Sequence, residues 1–90
     1  MTVAICYDIS RSKVRRRVAA YLEERMVRVQ RSVFEARITA YVASAHFDRV
    51  EKMIEDGDSV RMYVLSRSGL AHSRTTGGAP FPEEGAFWLL

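Results

Sequence analysis

The stretch that decides the fold is residues 2–38, TVAICYDISRSKVRRRVAAYLEERMVRVQRSVFEARI. At its start Val3, Ile5 and Tyr7 alternate with smaller or more polar residues, and this period of two is typical of a β-strand. Apolar residues then recur three and four positions apart, which predicts an amphipathic helix over residues 11–25. A strand followed directly by such a helix is the first half of a β-α-β unit.

Ser10 lies just before this helix, and its hydroxyl makes it the predicted N-cap. Residues 27–29 and 32–38 follow as two short strand candidates. The turn between them contains neither Gly nor Asn, so its sequence favours a hairpin less strongly than the two strands themselves do. The first half of the chain therefore predicts the order β-α-β-β.

The second half repeats the helix and strand. Thr39 is the predicted cap of a second helix, and Gly57 its predicted C-terminal stop. The predicted buried stripe of this helix consists of Val42, His46, Val50, Met53 and Ile54. Residues 59–66 alternate again and predict a strand. The order β-α-β-β-α-β predicts an α+β, ferredoxin-like fold, which by itself says nothing about function.

The C-terminal part differs in composition from the rest. We predict a ferredoxin-like domain over residues 1–66, followed by a linker over 67–85 that is rich in Gly, Pro, Ser and Thr. Residues 86–90 (Ala-Phe-Trp-Leu-Leu) are apolar and predict a strand that packs on the sheet of its own chain or of a partner. A 90-residue domain buries a small core. We therefore expect a homodimer, in which this last strand is exchanged.

Composition narrows the location and the partners. Cys6 is the single cysteine, which excludes an intrachain disulfide, and we expect a cytoplasmic protein without a membrane segment. The formal net charge is only +3, yet residues 11–31 hold eight of the fourteen basic residues against two acidic ones. Such a cluster creates a local positive potential, which suits phosphate groups. Twelve of the fourteen are arginine, a bias that bidentate phosphate contacts and a GC-rich genome would both explain.

Asp8 is the candidate metal ligand. It ends the first predicted strand, directly before the basic helix, where it would also serve as a cap or as the partner of a helix arginine. Mg²⁺ binds through one or two carboxylates together with water and phosphate oxygens, so one Asp is a thin site. A two-fold dimer would bring a second Asp8 to the same point. One Mg²⁺ or Mn²⁺ between two such carboxylates would polarise a phosphate and activate water.

The other candidates each have a structural alternative. Tyr7 alternates away from Asp8 and is expected in the core, whereas Phe34 is expected either in the core or as a stacking platform. His46 is expected to pack in the core, and His72 lies in the linker without a partner at ligand spacing. The candidates for phosphate binding are Arg15, Arg16, Arg17, Arg28 and Arg31, of which the first three span a wide arc of the helix and are also explained as a solvated surface. Zinc spacing, a phosphate loop and a Ser-His-Asp arrangement are all missing from the sequence.

Four segments, taken in order, carry a resemblance to a known family. They are Tyr7-Asp8-Ile9-Ser10, Arg15-Arg16-Arg17-Val18-Ala19, Arg28-Val29-Gln30-Arg31-Ser32-Val33-Phe34-Glu35 and Asp58-Ser59-Val60-Arg61-Met62-Tyr63. Over residues 1–66 the chain resembles the CRISPR-associated protein two family, which includes endoribonucleases and subunits of spacer acquisition. The spacing of the first segment to the third is the most specific part of this resemblance. Residues 67–82 resemble nothing diagnostic.

The resemblance implies a homodimer with a C-terminal strand on the partner's sheet, and Asp8 as the ligand of a metal shared across the two-fold axis. It implies catalytic roles for Asp8, Tyr7 and Phe34, and contacts of the basic residues with nucleic acid. The implied activity is metal-dependent endonucleolytic cleavage of RNA or double-stranded DNA, with Mg²⁺ or Mn²⁺ as cofactor. The implied partner is the CRISPR integrase subunit, CRISPR-associated protein one, in a prokaryotic cytoplasm.

Three alternatives remain open. A non-catalytic scaffold that bridges integrase dimers would need the basic surface but not Asp8. A toxin-type ribonuclease of the same fold would keep the chemistry in another pathway. An ACT-like regulatory domain shares the fold, but it predicts no basic cluster.

Overall fold

The computed structural model describes residues 2–65 and 74–77, which form two helices and five strands. In chain order these are β1 (Thr2–Asp8), α1 (Ser12–Glu23), β2 (Val27–Gln30), β3 (Val33–Arg37), α2 (Ala40–Glu51), β4 (Ser59–Leu65) and β5 (Arg74–Thr76). The strands form one sheet in the order β2-β3-β1-β4-β5, and every neighbouring pair is antiparallel. The first four strands and the two helices confirm the predicted α+β, ferredoxin-like fold.

β1 lies at the centre of the sheet, where Ile5 is opposite Phe34 of β3 on one side and Met62 of β4 on the other. All three side chains are buried, and they point to the face that the helices cover. The helices contribute Val14, Val18, Ala19 and Leu22 from α1 and Ala43, Phe47 and Val50 from α2. Because side chains alternate along a strand, Ala4 and Cys6 lie on the opposite face, and Asp8 ends the strand.

The start of each helix tests a predicted cap. Thr39 is confirmed, since its hydroxyl accepts a hydrogen bond from the Val42 backbone N–H at 3.1 Å. Ser10 is wrong, because α1 has Arg11 at the N-cap position and no side-chain cap bond. The Ser10 backbone N–H instead donates to Asp58, and Ser10 lies one residue before the N-cap.

The predicted stripe and stop of α2 also need correction. Val42 is 39% exposed, and Ala43 and Phe47 are buried instead. The buried face of α2 is therefore shifted by one residue from the predicted stripe. Three other members of the predicted stripe, Val50, Met53 and Ile54, do pack into or against the core. The helix ends at Glu51, well before Gly57, which lies in the following loop at φ +90°. Gly57 therefore serves that loop rather than the helix end.

β5 lies within the range predicted as a linker. It pairs with β4, with Met62 opposite Arg74 and Val60 opposite Thr76. Arg74 also donates to Asp48 of α2 at 2.8 Å, so the strand is held by side-chain contacts that its Gly-rich surroundings do not indicate. The predicted strand 86–90 and His72 lie outside the described residues. Within the described ranges, neither helix is long and apolar enough to span a membrane.

Candidate functional site

Asp8 is the last residue of β1, and its side chain is exposed at the end of the central strand. Its cross-strand neighbour is Ser59 of β4. Within residues 2–65 and 74–77 the Asp8 carboxylate makes no hydrogen bond or ion pair, so it does not pair with a helix arginine. An exposed carboxylate without a protein partner keeps its charge available for a cation.

A hollow of about 300 Å³ opens beside Asp8. It is lined by Tyr7, Asp8, Ile9, Arg15, Arg31 and Ser32. Arg15 is held at this place because its guanidinium donates to the backbone carbonyls of Ile9 at 2.9 Å and Ser10 at 3.3 Å. Those bonds leave its other N–H groups for an acceptor in the hollow, since a guanidinium has five donors.

A second hollow of about 150 Å³ shares Tyr7, Arg15 and Arg31 with the first, so the two are continuous. Its remaining lining residues are Arg16, Ala19 and Arg28. We call the two together the arginine groove. Of its four arginines, only Arg28 has a carboxylate partner among the described residues, Glu23 at 3.4 Å. The groove therefore concentrates positive charge next to Asp8.

Helix geometry separates two of the predicted binding residues. Arg16 lines the groove, whereas the exposed Arg17 lines neither hollow. Consecutive residues of a helix point about 100° apart, so one face of α1 turns Arg15 and Arg16 towards β2 and carries Arg17 away. Of the five predicted arginines, the structure brings four together and leaves Arg17 outside.

Tyr7 and Phe34 are buried under the groove with ring centroids 6.3 Å apart. Burial raises the pKa of the Tyr7 phenol, and the positive charge of the nearby Arg28 opposes that effect. Tyr7 is confirmed in the core while still lining the groove. Phe34 is 0% exposed, which confirms the core alternative and excludes the stacking platform, because a base cannot reach the ring. The guanidinium carbon of Arg28 lies 5.2 Å from the centroid of the Phe34 ring.

Asp58 is the residue of this region that the sequence reasoning missed. It is 7% exposed and accepts backbone hydrogen bonds from Ser10 at 3.2 Å and Glu55 at 2.9 Å. The available signal was the run Asp56-Gly57-Asp58 before a strand, since Asp and Gly in turns commonly bind nearby backbone N–H groups. The bond to Ser10 joins residues 48 positions apart, which that local signal does not predict.

His46 takes no part in the groove. It is half-buried between the helices, where its Nδ1 lies 3.2 Å from the Tyr21 hydroxyl. Burial lowers the pKa of His46, and the positive charge of Arg25 lowers it further. The histidine therefore belongs to the contact between the two helices, and the prediction that it packs in the core is wrong, because its ring stays partly exposed beside Tyr21.

The described part of the chain contains no group of three or more His, Cys, Asp or Glu side chains placed to hold a metal ion. Asp8 contributes one carboxylate, which is exposed and has no partner within the described ranges. Oxygen ligands of this kind suit Mg²⁺, which retains several waters and takes phosphate oxygens as further ligands. The residues fit such an ion when a second carboxylate comes from outside this chain.

The sequence pattern of the family described as CRISPR associated protein Cas2 matches residues 1–72. The chain belongs to the Cas2 family. It is 33% identical over 88 residues to the CRISPR-associated endoribonuclease Cas2 2 of Synechocystis sp. (strain ATCC 27184 / PCC 6803 / Kazusa), covering 96% of this chain and 95% of that protein. The predicted resemblance is confirmed.

Solved structures of the Cas2 family share the fold. The crystal structure of Streptococcus pyogenes Cas2 at pH 6.5 superposes with a TM-score of 0.63 at 30% identity, covering 86% of this chain and all of that chain. A chain of a partial Cas6-RT-Cas1–Cas2 complex superposes with a TM-score of 0.59 at 26% identity, covering 81% of this chain and 87% of that chain. The Synechocystis relative is named as an endoribonuclease, and the last structure is an assembly with Cas1.

Proposed function

We propose that this chain is a metal-dependent endonuclease of CRISPR spacer acquisition that cleaves phosphodiester bonds of RNA or DNA. One observation carries the proposal: the exposed carboxylate of Asp8, which has no partner among residues 2–65 and 74–77, opens into a groove lined by four arginines. A carboxylate for a cation and guanidinium groups for phosphate are the two things that such a reaction requires. The endoribonuclease name of the Synechocystis relative supports the same activity.

The arginines of the groove bind and orient the nucleic acid. Arg15 is fixed by two backbone carbonyls, and Arg31 lies across the same hollow, so both would contact phosphate oxygens beside Asp8. Charge-assisted contacts of this kind are strong and directional. Tyr7, whose pKa is raised by burial, stays a neutral phenol at physiological pH. It would donate a hydrogen bond rather than act as a base.

The divalent ion would be held by Asp8 of this chain and Asp8 of a second copy. A single carboxylate per chain makes the site incomplete alone, and a two-fold axis through it supplies the second one. When bound, Mg²⁺ or Mn²⁺ polarises a phosphate oxygen and lowers the pKa of a bound water. The chain's own part is to hold the ion at the end of β1 and to keep the phosphate next to it.

Asp8→Asn tests this proposal. The substitution keeps the size of the side chain but removes two negative charges per dimer, so cleavage should fall by about 100-fold or more, because the metal supplies several kcal/mol. Asp56→Asn is the matched control, since Asp56 is an exposed acid that does not line the groove. Cleavage of RNA and duplex DNA is measured with Mg²⁺, with Mn²⁺ and with EDTA. Circular dichroism and binding to a labelled duplex should be unchanged in both variants.

Three results would contradict the proposal. Cleavage that survives both Asp8→Asn and EDTA would place the activity elsewhere. An equal loss in Asp8→Asn and Asp56→Asn would mean that the lost charge acts without a metal. A full-length chain that is monomeric by light scattering at micromolar concentration, yet fully active, would exclude a site shared between copies.

A second candidate function is a scaffold that holds DNA and bridges integrase dimers without cleaving. The similarity to a chain that is solved in an assembly with Cas1 favours it. This function needs the groove arginines and leaves Asp8 dispensable. A wild-type protein that binds DNA and Cas1 but never cleaves, and an Asp8→Asn variant that supports spacer insertion equally well, would favour the scaffold.

A further inference from the structure

A second aspartate supports the site from behind. The buried carboxylate of Asp58 uses each oxygen once: Oδ1 accepts from the Ser10 backbone N–H at 3.2 Å, and Oδ2 accepts from the Glu55 backbone N–H at 2.9 Å. Ser10 belongs to the loop between β1 and α1, and Glu55 to the loop between α2 and β4. One side chain therefore ties together the two loops at this end of the sheet.

The hydrogen bond between Ser10 and Asp58 lies next to Asp8. Asp8 is opposite Ser59 in the β1–β4 pair. Asp58 precedes Ser59 directly, and Ser10 lies two residues after Asp8, so the hydrogen bond closes the backbone just beyond this pair. The Ser10 carbonyl is held separately by the guanidinium of Arg15 at 3.3 Å. Both backbone polar groups of Ser10, its N–H and its carbonyl, are therefore hydrogen-bonded.

Asp58 is itself held in place by its surroundings. A buried carboxylate requires hydrogen bonds, and bonds to a charged group contribute more than neutral ones. Gly77, at the end of β5, approaches the Asp58 backbone so closely that a Cβ there would lie 2.5 Å from the Asp58 carbonyl oxygen. The Arg11–Glu55 ion pair joins the same two loops at 3.0 Å, but its side chains are 64% and 46% exposed. Such an exposed pair contributes little, so Asp58 is the main connection.

We propose that Asp58 is a positioning residue that sets the direction of the Asp8 carboxylate and thereby the affinity of the site for a divalent ion. The inference rests on the proposed function, because it presumes that Asp8 binds the ion. Residues that orient a metal ligand without touching the metal commonly change its affinity by about 10- to 100-fold when replaced. Asp58 would act through the Ser10 backbone, because only residues 9–11 join β1 to α1 and loss of this bond would let them turn the end of β1.

Asp58→Asn is the decisive variant. An amide has the size of the carboxylate but only one oxygen, so it accepts one of the two backbone hydrogen bonds and presents an N–H₂ group to the other donor. Asp56→Asn makes the same change two residues away, at an exposed carboxylate, and is the control. Mn²⁺ is titrated into each full-length protein, and its affinity is read from paramagnetic broadening of the Ile9 and Ser10 amide signals. The Mn²⁺ concentration that gives half-maximal cleavage is measured in parallel.

We expect the dissociation constant for Mn²⁺ and the half-maximal concentration to rise together by about 10- to 100-fold in Asp58→Asn and to stay unchanged in Asp56→Asn. High Mn²⁺ should then restore cleavage, which a damaged fold would not allow. An unchanged Mn²⁺ affinity in a folded Asp58→Asn protein would overturn the proposal. Hydrogen exchange in the wild type needs no variant: a Ser10 amide that exchanges as fast as a free peptide would also overturn it.

The two proposals fail differently. If the wild type binds Mn²⁺ at Asp8 but does not cleave, the proposed endonuclease activity is contradicted. The Mn²⁺ affinities of Asp58→Asn and Asp56→Asn then still decide the role of Asp58. If the wild type binds no Mn²⁺ near Ile9 and Ser10 even with nucleic acid present, the positioning role is overturned together with the metal site.

Discussion

Arginine has opposite roles in two regions of this molecule. In the arginine groove, Arg15, Arg16 and Arg31 have no carboxylate partner among the described residues. In the region between β5 and α2, Arg74 donates to Asp48 at 2.8 Å and to the Ser44 hydroxyl at 2.8 Å, and its guanidinium carbon lies 4.2 Å from the Phe47 ring centroid. The groove arginines keep their charge available for a ligand, whereas Arg74 is a structural group because acids and an aromatic ring surround it.

This difference teaches that arginine content is a poor guide to a binding surface. What matters is whether acidic side chains reach the guanidinium group in the folded chain. Removing an uncompensated, exposed arginine such as Arg16 should cost little stability, because it has few protein contacts to lose. A compensated one should show the reverse, a loss of stability without a loss of binding.

The largest expected effect on binding is in the arginine groove. Arg16→Ala should weaken duplex binding by about eightfold at 0.1 M salt and reduce the slope of log affinity against log salt by about 1, because one phosphate contact and its counterion release are lost. Arg17→Ala is the matched control on the next helix position, outside the groove, and should change both quantities much less. Fluorescence anisotropy across a salt series measures them.

Equal losses in Arg16→Ala and Arg17→Ala would break the comparison, since binding would then follow the net charge of α1 rather than the groove. Neither substitution should change the free energy of unfolding by more than about 0.5 kcal/mol, because both side chains are exposed.

The second effect is on stability in the β5–α2 region. Arg74→Ala should lower the free energy of unfolding by about 1–2 kcal/mol, a value that discounts its charge-assisted bonds for the partial exposure of the pair. Arg37→Ala, at the end of β3, replaces an exposed arginine without a described partner and should cost less than about 0.5 kcal/mol. Urea denaturation measures both.

The binding assay sharpens this second result. Arg74→Ala should leave duplex affinity at low salt close to that of the wild type, because Arg74 lines neither hollow of the groove. An Arg74→Ala protein that is as stable as the wild type but binds DNA poorly would reverse the roles of the two regions.

The smallest effect concerns His46, which lies near the positive charge of Arg25, outside the groove. Burial holds the pKa of His46 below its usual 6.5 in the folded protein. The unfolded chain therefore takes up this proton more readily, so the stability from neutral His46 is present above pH 6.5 and is lost as the pH falls through the folded pKa. His46→Gln should flatten the dependence of unfolding free energy on pH between about 5 and 7. His72 is present in both proteins and cancels, so an identical pH dependence would contradict this.

The sequence by itself determined the elements of the fold. Strand alternation around Ile5 and helical spacing around Val18 are local periodicities, and each predicts its element without knowledge of the rest of the chain. It also placed Asp8 at the end of a strand and beside a basic helix. The prediction of a linker over residues 67–85 shows the limit of this reasoning. β5 lies in that range and is held by contacts of Arg74 with α2, which the local composition does not indicate.

Only the tertiary structure decided which residues lie close together in space. It brought Arg16 and Arg31 into one groove, left Arg17 outside, and buried Phe34 beneath it. It also tied Ser10 to Asp58, 48 residues away. The physical reason is that periodicity is a property of neighbours in sequence, whereas charge compensation and hydrogen bonding depend on distances across space. Those distances exist only once the sheet order β2-β3-β1-β4-β5 has been formed.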